Sequence, residues 1–300
     1  MTHEIRSVSF VIVAFRNNVD HLVRLCESLL VAADSLKMPA QVLLVLNDDP
    51  AFPRTSNVTV IQGHGNVGFA AGIEKGVLAS VGEYLVFVNP DCETNVEEFK
   101  RFLSEVRLDG GIAIPMLYNS IGEFDYMPYE NWTFTPGRML SARLCRRLSA
   151  INEPRLPKYA KISGAFVGME RQVALQLGTP FDTAFFLYAE DRDMTDRVRA
   201  AGIPITLLRN VRITHIGGES GKSVSELVAR CKADGSLRVA YRRFGRPGAL
   251  LFAIDQWLLD GIKYLLGRSS PRSANAWSAR RWREANYFDP GPLTQELLSK

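Results

Sequence analysis

Residues 84–93 read Tyr84-Leu85-Val86-Phe87-Val88-Asn89-Pro90-Asp91-Cys92-Glu93, and how they fold decides the architecture. Tyr84 to Val88 is a short, almost wholly apolar run, the mark of a buried strand. Proline cannot continue a sheet ladder, so the run ends at Asn89-Pro90. Asp91 is thereby held at the carboxyl end of a central strand, the edge at which open α/β sheets bind ligands. A carboxylate there is well placed to hold a divalent cation and, with it, a phosphate.

Outward from this stretch, strands and helices alternate. Residues 8–15 read as a first strand, with Asn17-Asn18 as turn and cap. An amphipathic helix follows, with Leu22, Leu25, Leu29 and Leu30 on one face. Residues 41–46 form a second strand that ends at the breaker Asn47-Asp48-Asp49-Pro50, and residues 57–62 a third. Helices are expected over 66–81 and 95–106, and a further strand over 112–116. This alternation predicts an α/β domain with a Rossmann-like, mostly parallel sheet flanked by helices.

Residues 118–160 lose the period and carry Tyr118, Tyr126, Tyr129, Trp132 and Phe134 among prolines and glycines, which predicts a long loop region with a hairpin near Gly122. Order returns over 162–170. A helix is expected from Glu190 to Ala201, stopped by Gly202 and Pro204, and two strands over 205–208 and 211–215. The division is an α/β domain over 1–220, with the loop-rich segment inside it, and a helical C-terminal extension over 221–300.

Of the 300 residues 46% are hydrophobic and 23% charged, so the chain is globular with a sizeable core. Cys26, Cys92, Cys145 and Cys231 lie far apart with no CxxC pair, which argues against a zinc site or a disulfide framework and for a reducing compartment. The first strand is too short, and wrongly flanked, for a signal peptide. No run reaches the roughly 18 apolar residues of a membrane span. A cytoplasmic location is the expectation.

Gly63-His64-Gly65-Asn66-Val67-Gly68 matches GxGxxG and stands between a strand and a helix. It follows the third strand, however, where a dinucleotide fingerprint sits on the first strand-to-helix turn. Glu83, the acid at the right spacing, precedes a strand instead of ending one. Gly72 and Gly76 recur at helical spacing and point to close helix packing. A nicotinamide enzyme is therefore not the reading adopted.

Four segments stand in order: Asn66-Val67-Gly68-Phe69-Ala70-Ala71-Gly72, Asn89-Pro90-Asp91, Ser163-Gly164-Ala165-Phe166, and Phe185-Phe186-Leu187-Tyr188-Ala189-Glu190-Asp191-Arg192-Asp193, the last followed by His215 and Ser220. Together, over about residues 8–220, they resemble the family 2 glycosyltransferases, in particular the bacterial rhamnosyltransferase-like branch. The resemblance implies a GT-A fold, a nucleotide-diphosphate sugar as donor and a divalent metal, Mg or Mn. Asn89-Pro90-Asp91 is similar to the family's DxD-type motif with an amide in the first place, so the resemblance makes Asp91 a metal ligand, completed by His215. It makes Asp191 the catalytic base. Along the donor it implies Asn66, Gly68, Gly72 and Asn89, with Asn47 and Asp48 as candidates to read the nucleoside, because the acid usual at the end of the second strand is missing or shifted. Glu190, Gly164 and Trp132 fall on the acceptor side. The expected reaction is inverting transfer, most naturally of L-rhamnose from dTDP-rhamnose to a polysaccharide precursor or lipid-linked glycan. A UDP-hexose or galactofuranose donor, or a non-catalytic nucleotide-sugar-binding protein, are the rivals.

Sugar transfer needs the leaving diphosphate neutralised and the acceptor hydroxyl deprotonated. Asp91 and Asp191 suit those two tasks. Glu190, Asp191 and Asp193 also open a helix, where acids are favoured by the dipole alone, and Asp91 is a turn-forming residue in its own right.

Arg230, Lys232, Arg238, Arg242, Arg243 and Arg246 lead into a helix with Leu250, Leu251, Ile254, Trp257, Leu258, Ile262 and Leu265 at helical spacing, and Arg268, Arg272, Arg280, Arg281 and Arg283 follow. A basic amphipathic stretch reads either as a peripheral membrane contact or as packing on the catalytic domain or a second subunit of a homodimer. No nucleic-acid module or interleaving of basic and aromatic residues is present, so no nucleic-acid partner is expected.

Overall fold

The computed structural model describes residues 4–93, 95–217, 225–267, 274–276 and 278–280. Ser220 and the arginines 268, 272, 281 and 283 lie outside the described residues. The frame is a seven-stranded sheet ordered β3-β2-β1-β4-β6-β5-β7. β1 (Val8–Ala14) lies at its middle, parallel to β2 (Ala40–Leu46) on one side and to β4 (Tyr84–Val88) on the other. Every residue of β1 and β4 is buried, which is why both read as continuous apolar runs. β3 (Val58–Ile61) continues the sheet outward, parallel to β2.

The helices α1 (Val19–Asp34), α2 (Gly68–Ala79) and α3 (Val96–Glu105) fall where the pattern predicts them. Asn18 Oδ1 caps α1 by accepting from the His21 amide, and Asn95 Oδ1 caps α3 by accepting from the Glu98 amide. α2 lies close on β1: a Cβ at Gly72 would stand 2.7 Å from Val13 Cγ1, and one at Gly76 would overlap Val11. These two glycines are therefore packing residues of the helix–strand contact.

The other half of the sheet departs from simple alternation. β6 (Phe166–Glu170) runs antiparallel between β4 and β5 (Ile112–Tyr118). β7 (Ile205–Thr214) is one strand parallel to β5 where two were expected, and a register shift at Pro115/Met116 absorbs the interruption at Arg209-Asn210. A bridge from Tyr118 to Phe124 closes the expected turn at Gly122. Within the expected loop lies a helix, α4 (Thr135–Cys145). It buries only Ser141 and Cys145, so it leaves no apolar period in the sequence. A short helix, α5 (Arg171–Gln176), follows β6, and α6 (Glu190–Ala200) follows the predicted bounds closely.

The described part of the extension is one long helix, α7 (Ser225–Leu265), kinked at Gly245, whose φ of 68° no α-helix contains. Its first half is turned onto the α/β domain. Arg242 bridges Asp182 and Asp193, Arg243 holds Asp196, and Arg238 pairs with Asp234. Those arginines face acids, which removes them from the basic surface expected of a membrane contact. Leu250, Leu251, Trp257 and Leu258 of the second half are exposed. No helix among the described residues is long and apolar enough to cross a membrane. All four cysteines are free and buried.

Candidate active site

The turn after β4 is stitched to two distant segments. The Asn89 amide donates to Ala165 O at the approach to β6, and the Glu93 amide donates to Thr214 O at the end of β7. The Ile216 amide donates to Asp91 O, and Cys92 bridges His215. These backbone bonds set the imidazole of His215 beside the carboxylate, with Nε2 3.1 Å from Asp91 Oδ1. Asn89 Nδ2 lies 3.4 Å from the same ring nitrogen. Burial alone would raise the Asp91 carboxyl; the neighbouring His215 and the amides of Asp91 and Gly217 outweigh it, and the net shift is downward. Asp91 Oδ1 is fully buried and receives no regular hydrogen bond, although the imidazole lies beside it.

Asp91 and His215 line one wall of a cavity of about 330 Å³ at the carboxyl edge of the sheet. Asp191 and Glu190 line it from the first turn of α6. Two consecutive left-handed residues deliver that turn: Tyr188 at φ 70° and Ala189 at φ 71°. Such backbone in non-glycine residues costs roughly 1–3 kcal/mol each and clusters at functional sites. α7 presses on the strained turn through Gly235, where a Cβ would collide with Tyr188 O.

Asp191 Oδ2 is paired with Lys161 Nζ, a lysine with only 8% of its side chain exposed. Asp191 Oδ1 takes no hydrogen bond among the described residues. Burial, aided by the charge of Asp191, pushes the Glu190 carboxyl up to about 8. Its Oε2 is buried without a partner.

Another wall of the cavity is built from three motifs joined by hydrogen bonds. Asn47, 4% exposed at the end of β2, donates from Nδ2 to Gly68 O at 3.1 Å and leaves Oδ1 unpartnered. Asn66 Oδ1 accepts from the Gly68 amide, and the Phe69 amide donates to Phe186 O. Gly68 has φ 83°, and a Cβ there would overlap Phe186 O, so only glycine permits this junction.

Of the residues expected at the site, Asn47, Asn66, Gly68, Asn89, Asp91, Gly164, Glu190, Asp191 and His215 all line this cavity. Three do not. Asp48 Oδ2 instead accepts from the Arg16 amide at 2.6 Å and shapes the turn after β1. Gly72 faces Val13. Trp132 packs on Gly137 of α4. Lys161, Phe15 and Leu227 were not anticipated: Lys161 stands outside the four motifs, Phe15 reads only as the end of the first strand, and Leu227 arrives from α7.

Residues 10–154 match the family described as Glycosyl transferase family 2. The match covers just under half of the chain. No curated protein matches the chain in sequence. Among solved structures, the chain is similar to GalNAc-T7 crystallised with UDP, GalNAc and Mn2+, at a TM-score of 0.54 and 15% identity over 79% of this chain and 48% of that one. It is also similar to a mannosyltransferase from Pyrobaculum calidifontis in complex with GDP-Man and Mn2+, at a TM-score of 0.52 and 11% identity over 92% of this chain and 84% of that one. The chain thus spans about half the length of the first of these. At such identities the likeness is one of fold, and that fold is GT-A.

Proposed function

We propose that this chain is a family 2, metal-dependent, inverting glycosyltransferase that takes its sugar from a nucleotide diphosphate. The observation that carries the reading is a division of labour in one cavity. Asp91 stands beside His215, Asp191 stands beside Lys161, and both carboxylates face the same space. The order of the four motifs makes dTDP-L-rhamnose the first donor to test, with a cell-surface glycan or lipid-linked glycan as acceptor.

Asp91 and His215 fit a divalent cation, Mg or Mn. The buried Asp91 Oδ1 lacks a regular donor, and an imidazole nitrogen lies next to it. The described residues hold no group of three or more His, Cys, Asp or Glu that could take a metal alone. The remaining ligands would therefore be diphosphate oxygens and water, the usual arrangement for a hard cation bound with its substrate. Bound there, the cation supplies Lewis-acid neutralisation of the leaving diphosphate. Both similar folds were solved with Mn2+, which supports this choice.

Asp191 Oδ1 takes the proton of the acceptor hydroxyl, while Lys161 fixes the carboxylate through Oδ2. The acceptor oxygen forms a bond to the anomeric carbon, the bond from that carbon to the diphosphate breaks, and the diphosphate leaves with the electron pair. Glu190 is held as the neutral acid at neutral pH, so it is a poor nucleophile, which favours a single displacement with inversion. Asn47 reads the nucleoside through its unpartnered Oδ1, with Asn66 beside it.

The test is calorimetric titration with dTDP-rhamnose, UDP-glucose and UDP-galactose, each with and without manganese. Metal-dependent binding of one donor is the expected result and identifies the donor. Absence of binding by all three refutes the donor assignment.

A further inference from the structure

A second cavity, of about 660 Å³, opens beside the first and shares Pro128, Tyr188, Asp191 and Val228 with it. Its floor is the catalytic domain, through Glu130, Arg138, Lys161 and Arg192. Its other wall is α7, whose kink at Gly245 folds both halves around the same space. Lys232 comes from the first half and Lys263 from the second, residues that only the kink brings to one cavity.

The charges do not balance. Glu130 is shared by Arg138 at 2.7 Å and Arg192 at 3.6 Å. Asp191 is taken by Lys161. Asp260 accepts from Asn275 Nδ2 at 2.6 Å. Lys232 and Lys263 have no carboxylate partner among the described residues, and Lys232 lies over the Tyr188 ring, 4.8 Å from its centroid. The cavity therefore holds five cations against three carboxylates, each carboxylate already engaged. A concave surface with a net positive charge concentrates anions.

The position matters as much as the sign. In a single displacement the nucleophile enters opposite the leaving group. With the diphosphate at the Asp91 end of the first cavity, the nucleophile reaches the shared residue Asp191 from the second. We propose that the second cavity binds the acceptor through an anionic group, a phosphate or a carboxylate, seated on Lys232 and Lys263. This rests on the glycosyltransferase reading for the word acceptor, while the anion site rests on the cavity alone.

The test uses the full chain in EDTA, which silences metal-dependent binding in the first cavity. Inorganic pyrophosphate and glucuronate are titrated calorimetrically into the wild type, the Lys232→Gln/Lys263→Gln double variant and Asp91→Ala. One of the two probes should bind the wild type and Asp91→Ala alike. The double variant should bind it at least about tenfold more weakly, the scale of one charge-assisted hydrogen bond. The probe that binds separates a phosphate source from an acidic sugar. Equal binding by wild type and double variant overturns the proposal, as does binding of neither probe. Nucleotide-sugar binding with manganese is measured on the same double variant. If it is retained, the variant is folded and the loss is local. If the wild type binds the anion through the lysines but no nucleotide sugar, the anion site stands and the transferase reading falls.

Discussion

Replacing Arg243 by methionine should loosen α7 from the catalytic domain. The guanidinium makes five hydrogen bonds. Two go to Asp196, at 2.6 and 3.0 Å, and two to Asn131, at 2.7 Å to the carbonyl and 2.8 Å to Oδ1. The fifth goes to Thr133 Oγ1 at 3.0 Å. Asn131 and Thr133 are 5% and 4% exposed, so water cannot replace the lost donor there. An orphaned buried acceptor costs about 1–3 kcal/mol. The Asp196 share is discounted, because that side chain is 38% exposed and is rehydrated. Bonds to one side chain are not additive, so the net loss is about 3 kcal/mol. For a chain of this size that lowers Tm by roughly 6–12 °C. Arg243→Lys keeps the charge without the planar fork and should lose most of the same stability. Scanning calorimetry on the three proteins reads the effect. Because α7 supplies Leu227 and Val228 to the first cavity, donor affinity should fall with stability. Two variants melting within about 1 °C of the wild type would refute the argument that these bonds seat α7.

Asp191→Asn should keep nucleotide-sugar binding and lose transfer by at least about a hundredfold; retained turnover removes its role as base. Asp91→Ala should abolish the manganese dependence of donor binding in calorimetry, and an unchanged affinity takes it out of the metal site. Gly68→Ala should destabilise far more than Gly65→Ala, since both have positive φ but only a Cβ at Gly68 meets backbone, at Phe186; equal melting temperatures contradict this. Glu190 carries a folded-state carboxyl raised from 4.5 to about 8, so ionising it opposes folding, and its contribution is present below the lower value and lost as pH climbs through the higher. Glu190→Gln should therefore gain stability over the wild type as pH rises through that window, and parallel Tm–pH curves would rule it out.

Much of the frame is legible in the chain. The central strands are buried on both faces, so their apolar runs stand out, and Asn18, Asn95 and Pro90 mark where elements begin or end by local chemistry alone. β6 was harder: it reads as order but not as a reversed strand, because direction depends on pairing partners and not on composition. α4 was invisible for a different reason, since a helix resting on the surface through two small residues imposes no period.

The sequence by itself determined the sheet's centre, the acid at its carboxyl edge and the order of the motifs, because those follow from periodicity and local turn chemistry. Only the tertiary structure decided what each acid meets. Asp91 faces His215 because backbone bonds tie the turn after β4 to the end of β7. Asp191 faces Lys161, Asp48 is spent on a turn, and the arginines of α7 face acids of the catalytic domain. Lys232 and Lys263 share a cavity through one kink at Gly245. Ion pairs and cavities join residues far apart in the chain, and their partners are set by packing, which no local pattern encodes.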